Sequence, residues 1–365
     1  MGNDASKEQL AALATRMRKA NYLEWWSATY RSEKPETNVQ AYLWAYQEMK
    51  DYMVEAGKLI SIEDAGRRGL ILANPGLGGD PWMTDTLFGD VQILSPGEEA
   101  PAHRHTTSAC RFFLEGEGCY TNVEGEKCTM GPGDLTINPA WAWHDHGHEG
   151  KGNVTYLNML DVPLVAGLGC VFYDSDYFKM GDKSKTIQSL KKPVNASYDF
   201  YATGGIVPKN QNRVRKAYSA QLTYRYKDVL TALQRLAKHS PDPYDGFIVQ
   251  YVNPETGGSV LPTMQFTMQL FTPGMRTQAH RHTTSTVYCC VSGKGVTEVE
   301  GTKLEWGKND VFVVPSWAWH EHRNAGKDQA VLWAVSDQEA VQKLGLYREE
   351  GKTASGEIVP LAMPA

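Results

Sequence analysis

The sequence predicts a mainly β protein, two tandem small β-barrels behind a helical amino-terminal segment. Three observations carry that expectation. The stretch from His103 to His146, HRHTTSACRFFLEGEGCYTNVEGEKCTMGPGDLTINPAWAWHDH, recurs from His280 to His322 as HRHTTSTVYCCVSGKGVTEVEGTKLEWGKNDVFVVPSWAWHEH. Eight of the ten histidines stand at matching places, the opening pairs 177 residues apart (103 to 280) and the closing pairs 176 (144 to 320), so the repeat sets the domain division. Around both copies, short apolar runs are broken by Gly, Pro, Asn and Asp, as in barrels and sandwiches of short strands. Before them, KEQLAALATRMRKANYLEWW and TNVQAYLWAYQEMKDYMVEAG carry apolar residues at helical spacing.

With 365 residues the chain has room for two domains of ordinary size. The expected division is a helical segment over 1–58, a first barrel over 59–175, a connecting segment over 176–245, a second barrel over 246–340 and a loosely held polar tail over 341–365. Helices are expected over 5–31 and 37–57, the second capped by Thr37 or Asn38, and over 226–238 in YKDVLTALQRLAK. The aromatics of the first two are expected to pack on a neighbouring domain or subunit.

Composition excludes several classes. A net charge of -5 and the lack of any Lys/Arg cluster interleaved with aromatics argue against nucleic acid. No apolar run approaches the roughly 18 to 20 residues of a membrane span, and the polar start MGNDASKEQL is no secretory signal. The six cysteines show no C-x-x-C spacing and read as buried free thiols of a cytoplasmic protein.

The histidine pairs carry the chemistry. Residues i and i+2 of a strand face one side, so His103 and His105 project together, as do His144 and His146. Inside a barrel of about 8 strands there is room for one small site, and His103, His105 and the nearer of the closing pair, His144, are expected to meet at one ion. A single histidine would more simply be a hydrogen-bonded core residue; two H-x-H pairs per repeat favour a metal. Three imidazoles suit Fe, Zn, Cu or Ni, and ligand type alone does not choose.

These stretches resemble the cupin fold, a double-stranded β-helix, and the whole chain resembles a two-cupin protein. More narrowly, RRGLILANPGLGG (67–79), PAHRHTTSACRFFLEGEG (101–118), PAWAWHDHG (139–147), LDVP (160–163), YVNPETGG (251–258) and VFVVPSWAWHEH (311–322) are similar to the gentisate and salicylate 1,2-dioxygenases. The resemblance implies Fe(II) held by His103, His105 and His144, with a small aromatic acid and O2 as substrates, and a homotetramer. Many cupins add a glutamate ligand just past the second histidine; here the run is TTSACR, with no carboxylate. Three neutral ligands leave room for a 2-hydroxybenzoate chelating through carboxylate and phenolate, and for O2. Ring opening between the carboxyl- and hydroxyl-bearing carbons is the implied reaction, with gentisate as default and 5-amino-, 5-chloro- or 5-nitrosalicylate and 1-hydroxy-2-naphthoate as alternatives.

Further residues follow from parity and resemblance. Arg111 sits in the otherwise apolar RFFLEG and needs an anion, either a structural carboxylate or, as the resemblance implies, the substrate carboxylate or an anion developing on oxygen. Its counterpart is Tyr288, which marks the first barrel as the chemical one. By resemblance His146 hydrogen-bonds the substrate phenolate or oxygen and moves a proton; an alternate ligand is the other reading. Arg68 is the better match to a substrate-shell arginine, with Arg67 read as a solvated turn residue. Gln92 matches a residue that reaches the bound acid, and Phe88 stands where salicylate-cleaving relatives have tryptophan. Asn158 replaces a common aspartate, and Asp90 shares parity with Gln92 where relatives have a small residue. A regular strand would turn Asp90 into the pocket, where it would accept from a 5-hydroxyl or 5-amino group and, unless protonated or paired, repel nitro or chloro; the two changes also read as one acidic group moved across the pocket. His280, His282 and His320 keep every ligand type and form a second candidate site, read as structural or vestigial. Two rival functions remain: a manganese bicupin such as an oxalate decarboxylase, disfavoured by the missing glutamate and by Arg111, and a non-catalytic bicupin of the seed-storage kind, disfavoured by the intact histidines.

Overall fold

The computed structural model describes residues 4–27, 32–175, 192–209 and 216–363. Residues 1–36 and 37–365 form separate compact units. In the smaller, α1 (Asp4–Lys19) ends in basic residues, which suit a helix carboxyl end. The helix expected over 5–31 therefore stops at Lys19, where Arg18 turns to pair with Glu24; residues 28–31 lie outside the described residues.

The second expected helix is split. Tyr42–Trp44 forms strand β1, and α2 spans only Tyr46–Leu59. The apolar spacing of residues 37–45 fits either state, and a free strand edge in the second barrel decides between them by pairing Leu43 with Phe312. Neither Thr37 nor Asn38 caps the helix. Asp310 of the second barrel accepts from the Tyr46 amide at 2.8 Å, and Tyr46 Oη bonds Glu115 and Thr155 of the first barrel. Tyr46, Met49 and Met53, at helical spacing, form the buried face. The expected segment 1–58 is thus divided, its second half built into the larger unit.

The first barrel uses β2 (Gly69–Ile71), β3 (Phe88–Leu94), β4 (Glu99–His105), β5 (Ala109–Glu115), β6 (Cys119–Val123), β7 (Glu126–Met130), β8 (Leu135–Asn138), β9 (His144–His148), β10 (Val154–Leu160), β11 (Tyr173–Asp174) and β12 (Thr223–Tyr224). They form two facing sheets, ordered β12-β8-β5-β10-β3-β2 and β11-β4-β9-β6-β7. The second barrel repeats the plan with β13 (Phe247–Gln250), β14 (Gln265–Phe271), β15 (His280–His282), β16 (Thr286–Ser292), β17 (Gly295–Val299), β18 (Thr302–Trp306), β19 (Val311–Val314), β20 (His320–Asn324), β21 (Ala330–Ser336), β22 (Glu349–Lys352) and β23 (Ile358–Ala362). Its sheets run β1-β19-β16-β21-β14-β13 and β18-β17-β20-β15-β22-β23. The residues read as a loose tail are in fact its last two strands: β22 pairs with β15, satisfying backbone groups that would otherwise lie on a free edge. The helix expected over 226–238 spans Tyr226–Leu236. Much of the rest of the connecting segment, residues 176–191 and 210–215, lies outside the described residues.

Period-2 alternation decides what each sheet face does. On β3, β5 and β10, Val91, Phe112, Leu157 and Met159 point to the other barrel and share one core with Phe266, Met268 and Trp333. Phe112 stacks on Trp333 at 4.3 Å and 11° across that interface, a contact worth about 0.5–1.5 kcal/mol beyond its buried area. The alternate residues, Asp90, Gln92, Arg111, Tyr156 and Asn158, face the inside of the first barrel. Phe113, Leu94, Met130 and Val154 plug one end of that interior; the other end stays open.

Candidate metal centre and aromatic-acid cavity

A cavity of about 520 Å³ opens into the first barrel, and the histidines line it with Arg67, Phe88, Asp90, Gln92, Arg111 and Asn158. Register brings the imidazoles together. His103 faces His144 directly across β4 and β9, and their rings lie 4.2 Å apart. Between β8 and β9 the chain turns at Trp141, whose φ of 61° is unusual for a bulky residue. Its amide donates to His105 O at 2.7 Å, holding the turn against β4; Trp317 repeats both features in the second barrel.

Four imidazoles gather. Ring nitrogens of His103, His144 and His146 lie within 4.8 Å of one another. His105 stands 4.9 Å from His144 and 5.5 Å from His103, ring to ring. Hydrogen bonding divides the four differently. Nδ1 of His103 meets Pro101 O at 3.0 Å, that of His105 meets Thr107 O at 2.7 Å, and that of His144 meets Ala142 O at 2.9 Å. A carbonyl only accepts, so each Nδ1 carries the proton and each Nε2 keeps a lone pair for a metal. His146 is wired differently. Thr121 Oγ1, opposite it across β6 and β9, receives Arg111 Nη1–H at 3.0 Å and lies 3.0 Å from His146 Nδ1. No carbonyl fixes the hydrogen of His146 on Nδ1, and a hydroxyl that can donate to Nδ1 allows Nε2 to carry the hydrogen.

The imidazoles are neutral at physiological pH. Burial, aided by Arg67 and His105, brings His103 down to about 2, and burial holds His144 and His146 well below their ordinary value, with Arg111 adding to the effect on His146. A donor set of neutral imidazoles with anchored Nδ1 atoms fits a divalent transition metal.

Among the described residues the cavity wall has two arginines without an ion pair, Arg67 and the more deeply buried Arg111. Arg111 is 1% exposed, yet among the described residues it forms no ion pair. Its Nε donates to Asn158 Oδ1 at 3.1 Å, and its guanidinium carbon sits 3.9 Å over the Tyr156 ring. The structural carboxylate considered from sequence is absent there, so a buried cation faces the cavity with only neutral partners. Asp90 does face the cavity: β3 pairs without a bulge on both sides. Its carboxylate accepts from Asn158 Nδ2 at 2.6 Å and Gln92 Nε2 at 2.7 Å, and burial pushes its pKa up. Gln92 in turn accepts from Tyr156 Oη. Phe88 packs edge-on to Trp82 at the rim.

The two arginines of the first turn are reversed from expectation. Arg68 is buried away from the cavity, paired with Glu98 and bonded to Ser95. Arg67 is the residue that enters it, with Nη2 3.0 Å from both ring nitrogens of His103. Parity explains the correction. Gly69 lies opposite Gln92 and Ile71 opposite Asp90, so odd positions share the cavity side. A side chain at 69 would collide with Gln92, which is why glycine stands there. Tyr173, stacked on His103 at 5.5 Å, and Thr121 also belong to the site; Tyr173 carries no charge or repeat signal, whereas Thr121 recurs as Thr297 in the second copy.

Fold and site together define a bicupin with a histidine metal centre beside a cavity suited to a small anion. A family model for the cupin domain matches residues 90–161 and 267–336. Gentisate 1,2-dioxygenase 1 of Aquipseudomonas alcaligenes is 37% identical over 318 residues, 87% of this chain and 88% of the relative. The 5-aminosalicylate 1,2-dioxygenase of Comamonas sp is 35% identical over 365 residues, 97% of this chain and 93% of the relative. Among solved structures, the salicylate 1,2-dioxygenase of Pseudaminobacter salicylatoxidans, known also as adducts with gentisate, superposes with a TM-score of 0.85 at 26% identity, covering 94% of this chain and 97% of that one. The chain belongs to the gentisate/salicylate 1,2-dioxygenase family of ring-cleaving enzymes.

Proposed function

We propose that this enzyme opens a 2-hydroxybenzoate with O2 between the carboxyl- and hydroxyl-bearing carbons, using Fe(II) held by Nε2 of His103, His105 and His144. The observation that carries the reading is Arg111, a buried cation lacking an anion, in the wall of a cavity that also presents three lone-pair Nε2 atoms. Bound there, a ferrous ion supplies the Lewis-acidic site that the carboxylate and phenolate chelate and the one-electron chemistry that lets triplet O2 react with a closed-shell ring.

The protein's own groups do the rest. Arg111 takes the substrate carboxylate, converting a costly buried charge into a desolvated ion pair. Arg67 cannot keep its guanidinium on His103 once that nitrogen holds a cation, and like-charge repulsion turns it toward the incoming acid. His146 donates an Nε2 hydrogen bond to the phenolic oxygen and takes up or gives a proton at that same nitrogen, with Thr121 at Nδ1 holding the ring in place. Phe88 and Leu160 line the apolar part of the cavity and limit water around the ring.

Gentisate is the substrate this wall favours, with 5-aminosalicylate second. Asp90 presents an acceptor, which suits a 5-hydroxyl or 5-amino group and opposes 5-nitro and 5-chloro. The substrates after which the two relatives are named, gentisate and 5-aminosalicylate, both carry such a donor. We place the enzyme in the cytoplasm as a homotetramer; no described helix is long and apolar enough to cross a membrane.

The test is a panel of gentisate, salicylate and 5-amino-, 5-chloro- and 5-nitrosalicylate on anaerobically iron-loaded protein. O2 uptake with ring-opened product, fastest on gentisate, is the expected result. Turnover of oxalate with manganese and none of the panel with iron would replace this reading by the decarboxylase one.

A further inference from the structure

The second barrel keeps the histidines and changes everything around them. Ring nitrogens of His280, His282 and His320 lie within 4.8 Å of one another. Nδ1 of His282 meets Thr284 O at 3.0 Å and that of His320 meets Ala318 O at 3.0 Å, so both are protonated there and leave Nε2 bare. Nε2 of His280, His320 and His322 are buried with no hydrogen-bond partner. Orphaned buried nitrogens are rare, and those of His280 and His320 belong to the convergent set. His322 lies outside that set: its Nδ1 stands 2.8 Å from Thr297 Oγ1, which also receives Trp306 Nε1–H at 2.9 Å.

The surroundings do not repeat the substrate wall of the first barrel. The polar row Arg111–Asn158–Asp90, cross-strand neighbours in the first barrel, is Tyr288–Ala334–Thr267 in the second. Tyr288 stacks on Phe312 at 4.9 Å, and Phe271 lies against His322 at 5.6 Å, so aromatic rings fill the space of the aromatic-acid cavity.

Charge is reversed as well. Arg67 and Arg111 stand beside the first histidine set, which therefore needs an anionic chelate. Beside the second stand carboxylates: Glu349 Oε1 meets His280 Nδ1 at 3.2 Å, and Asp245, His280 and Glu349 have ligand atoms within 4.8 Å of one another. Tyr347 Oη donates to the other Glu349 oxygen at 2.8 Å and fixes the carboxylate. Glu349 lies on β22 opposite His282, the position Tyr173 takes opposite His105 in the first barrel. A carboxylate on Nδ1 makes an imidazole a better metal ligand than a carbonyl does.

We infer that His280, His282 and His320 hold a second, structural divalent transition-metal ion, charge-balanced by Glu349 and Asp245 without any substrate. Through the Glu349–His280 bond the ion fastens the closing hairpin, β22 and β23, to the second barrel. It is held more tightly than the first, because the first site binds its charge fully only with substrate present.

Metal content per chain, measured on the full-length protein purified anaerobically, tests this independently of ring cleavage. The variant His103→Ala/His105→Ala should retain one equivalent, and Glu349→Gln in that background should release it at a chelator concentration about 10- to 100-fold lower. His282→Ala in the wild-type background should lose one equivalent and lower Tm. If His282→Ala does not fold, the first-site variant decides alone. No metal in His103→Ala/His105→Ala, or an equivalent whose chelator sensitivity Glu349→Gln leaves unchanged, overturns the assignment.

Discussion

Asn158 stands between Arg111 and Asp90 across three adjacent strands, donating to Asp90 Oδ1 at 2.6 Å and accepting from Arg111 Nε at 3.1 Å. One neutral amide thus separates a buried cation from a buried carboxylate. The cation stays available to a substrate carboxylate, while the acid is displaced to the wall formed by β3.

Asp90→Ala tests whether that displaced acid reads the ring. A hydrogen bond to a charged group is worth about 1.5–3 kcal/mol. Loss of it should lower kcat/KM on gentisate and 5-aminosalicylate by about 10- to 100-fold relative to 5-chlorosalicylate. An unchanged ratio across the panel removes Asp90 from specificity.

Arg111→Met should abolish turnover while the iron content is unchanged. Removing a guanidinium that has only neutral partners also removes its desolvation cost, so Tm should stay level or rise. A fall of Tm by about 4 °C or more, roughly 3 kcal/mol of lost stability for a unit of this size, would show that Arg111 is a structural residue instead.

Two aspartates tie the barrels by an exchanged pair of bonds. Asp161 accepts from the Ser108 amide and from Thr263 Oγ1 of the second barrel; Asp337 accepts from the Ser285 amide and from Thr86 Oγ1 of the first. Burial raises both to about 6. A carboxyl whose folded pKa exceeds its unfolded one binds more protons when folded, so the contribution of these two groups to stability is greatest below about pH 4 and is lost as pH rises through about 6. Each group contributes on the order of 1–3 kcal/mol to that loss. Asp161→Asn/Asp337→Asn should flatten the slope of unfolding free energy between about pH 4 and 6; an unaltered slope contradicts the assignment.

Trp333→Ala should destabilise by about 3–5 kcal/mol, since it empties a fully buried site stacked on Phe112 and Phe266 between the barrels. Chemical denaturation followed on both barrels should show one lowered midpoint. Loss confined to the second barrel would mean the barrels fold separately.

The histidine framework was legible because it rests on local geometry: H-x-H puts two rings on one strand face, and the repeat marks which pairs matter. Asp90 was legible for the same reason, parity along an uninterrupted strand. What escaped depends on partners distant in sequence. Tyr42–Trp44 is a strand only because β19 has a free edge, and β22 and β23 look like a tail until β15 is known to need a neighbour. Arg67 and Arg68 are adjacent, and only the Gly69–Gln92 pairing tells which enters the cavity. The different partner of His146 needed Thr121 in place, a hydroxyl whose recurrence as Thr297 has no meaning until β6 is paired with β9.

The central claim is ring opening by O2 at the centre formed by His103, His105 and His144. Mass analysis of the product formed from gentisate under 18O2 by the iron-loaded enzyme tests it most directly. One labelled atom should be retained in the new carboxylate of the ring-opened product, the ketone oxygen exchanging with water, and no product should form with His105→Ala. Product with no label in that carboxylate, or undiminished product from His105→Ala, contradicts it.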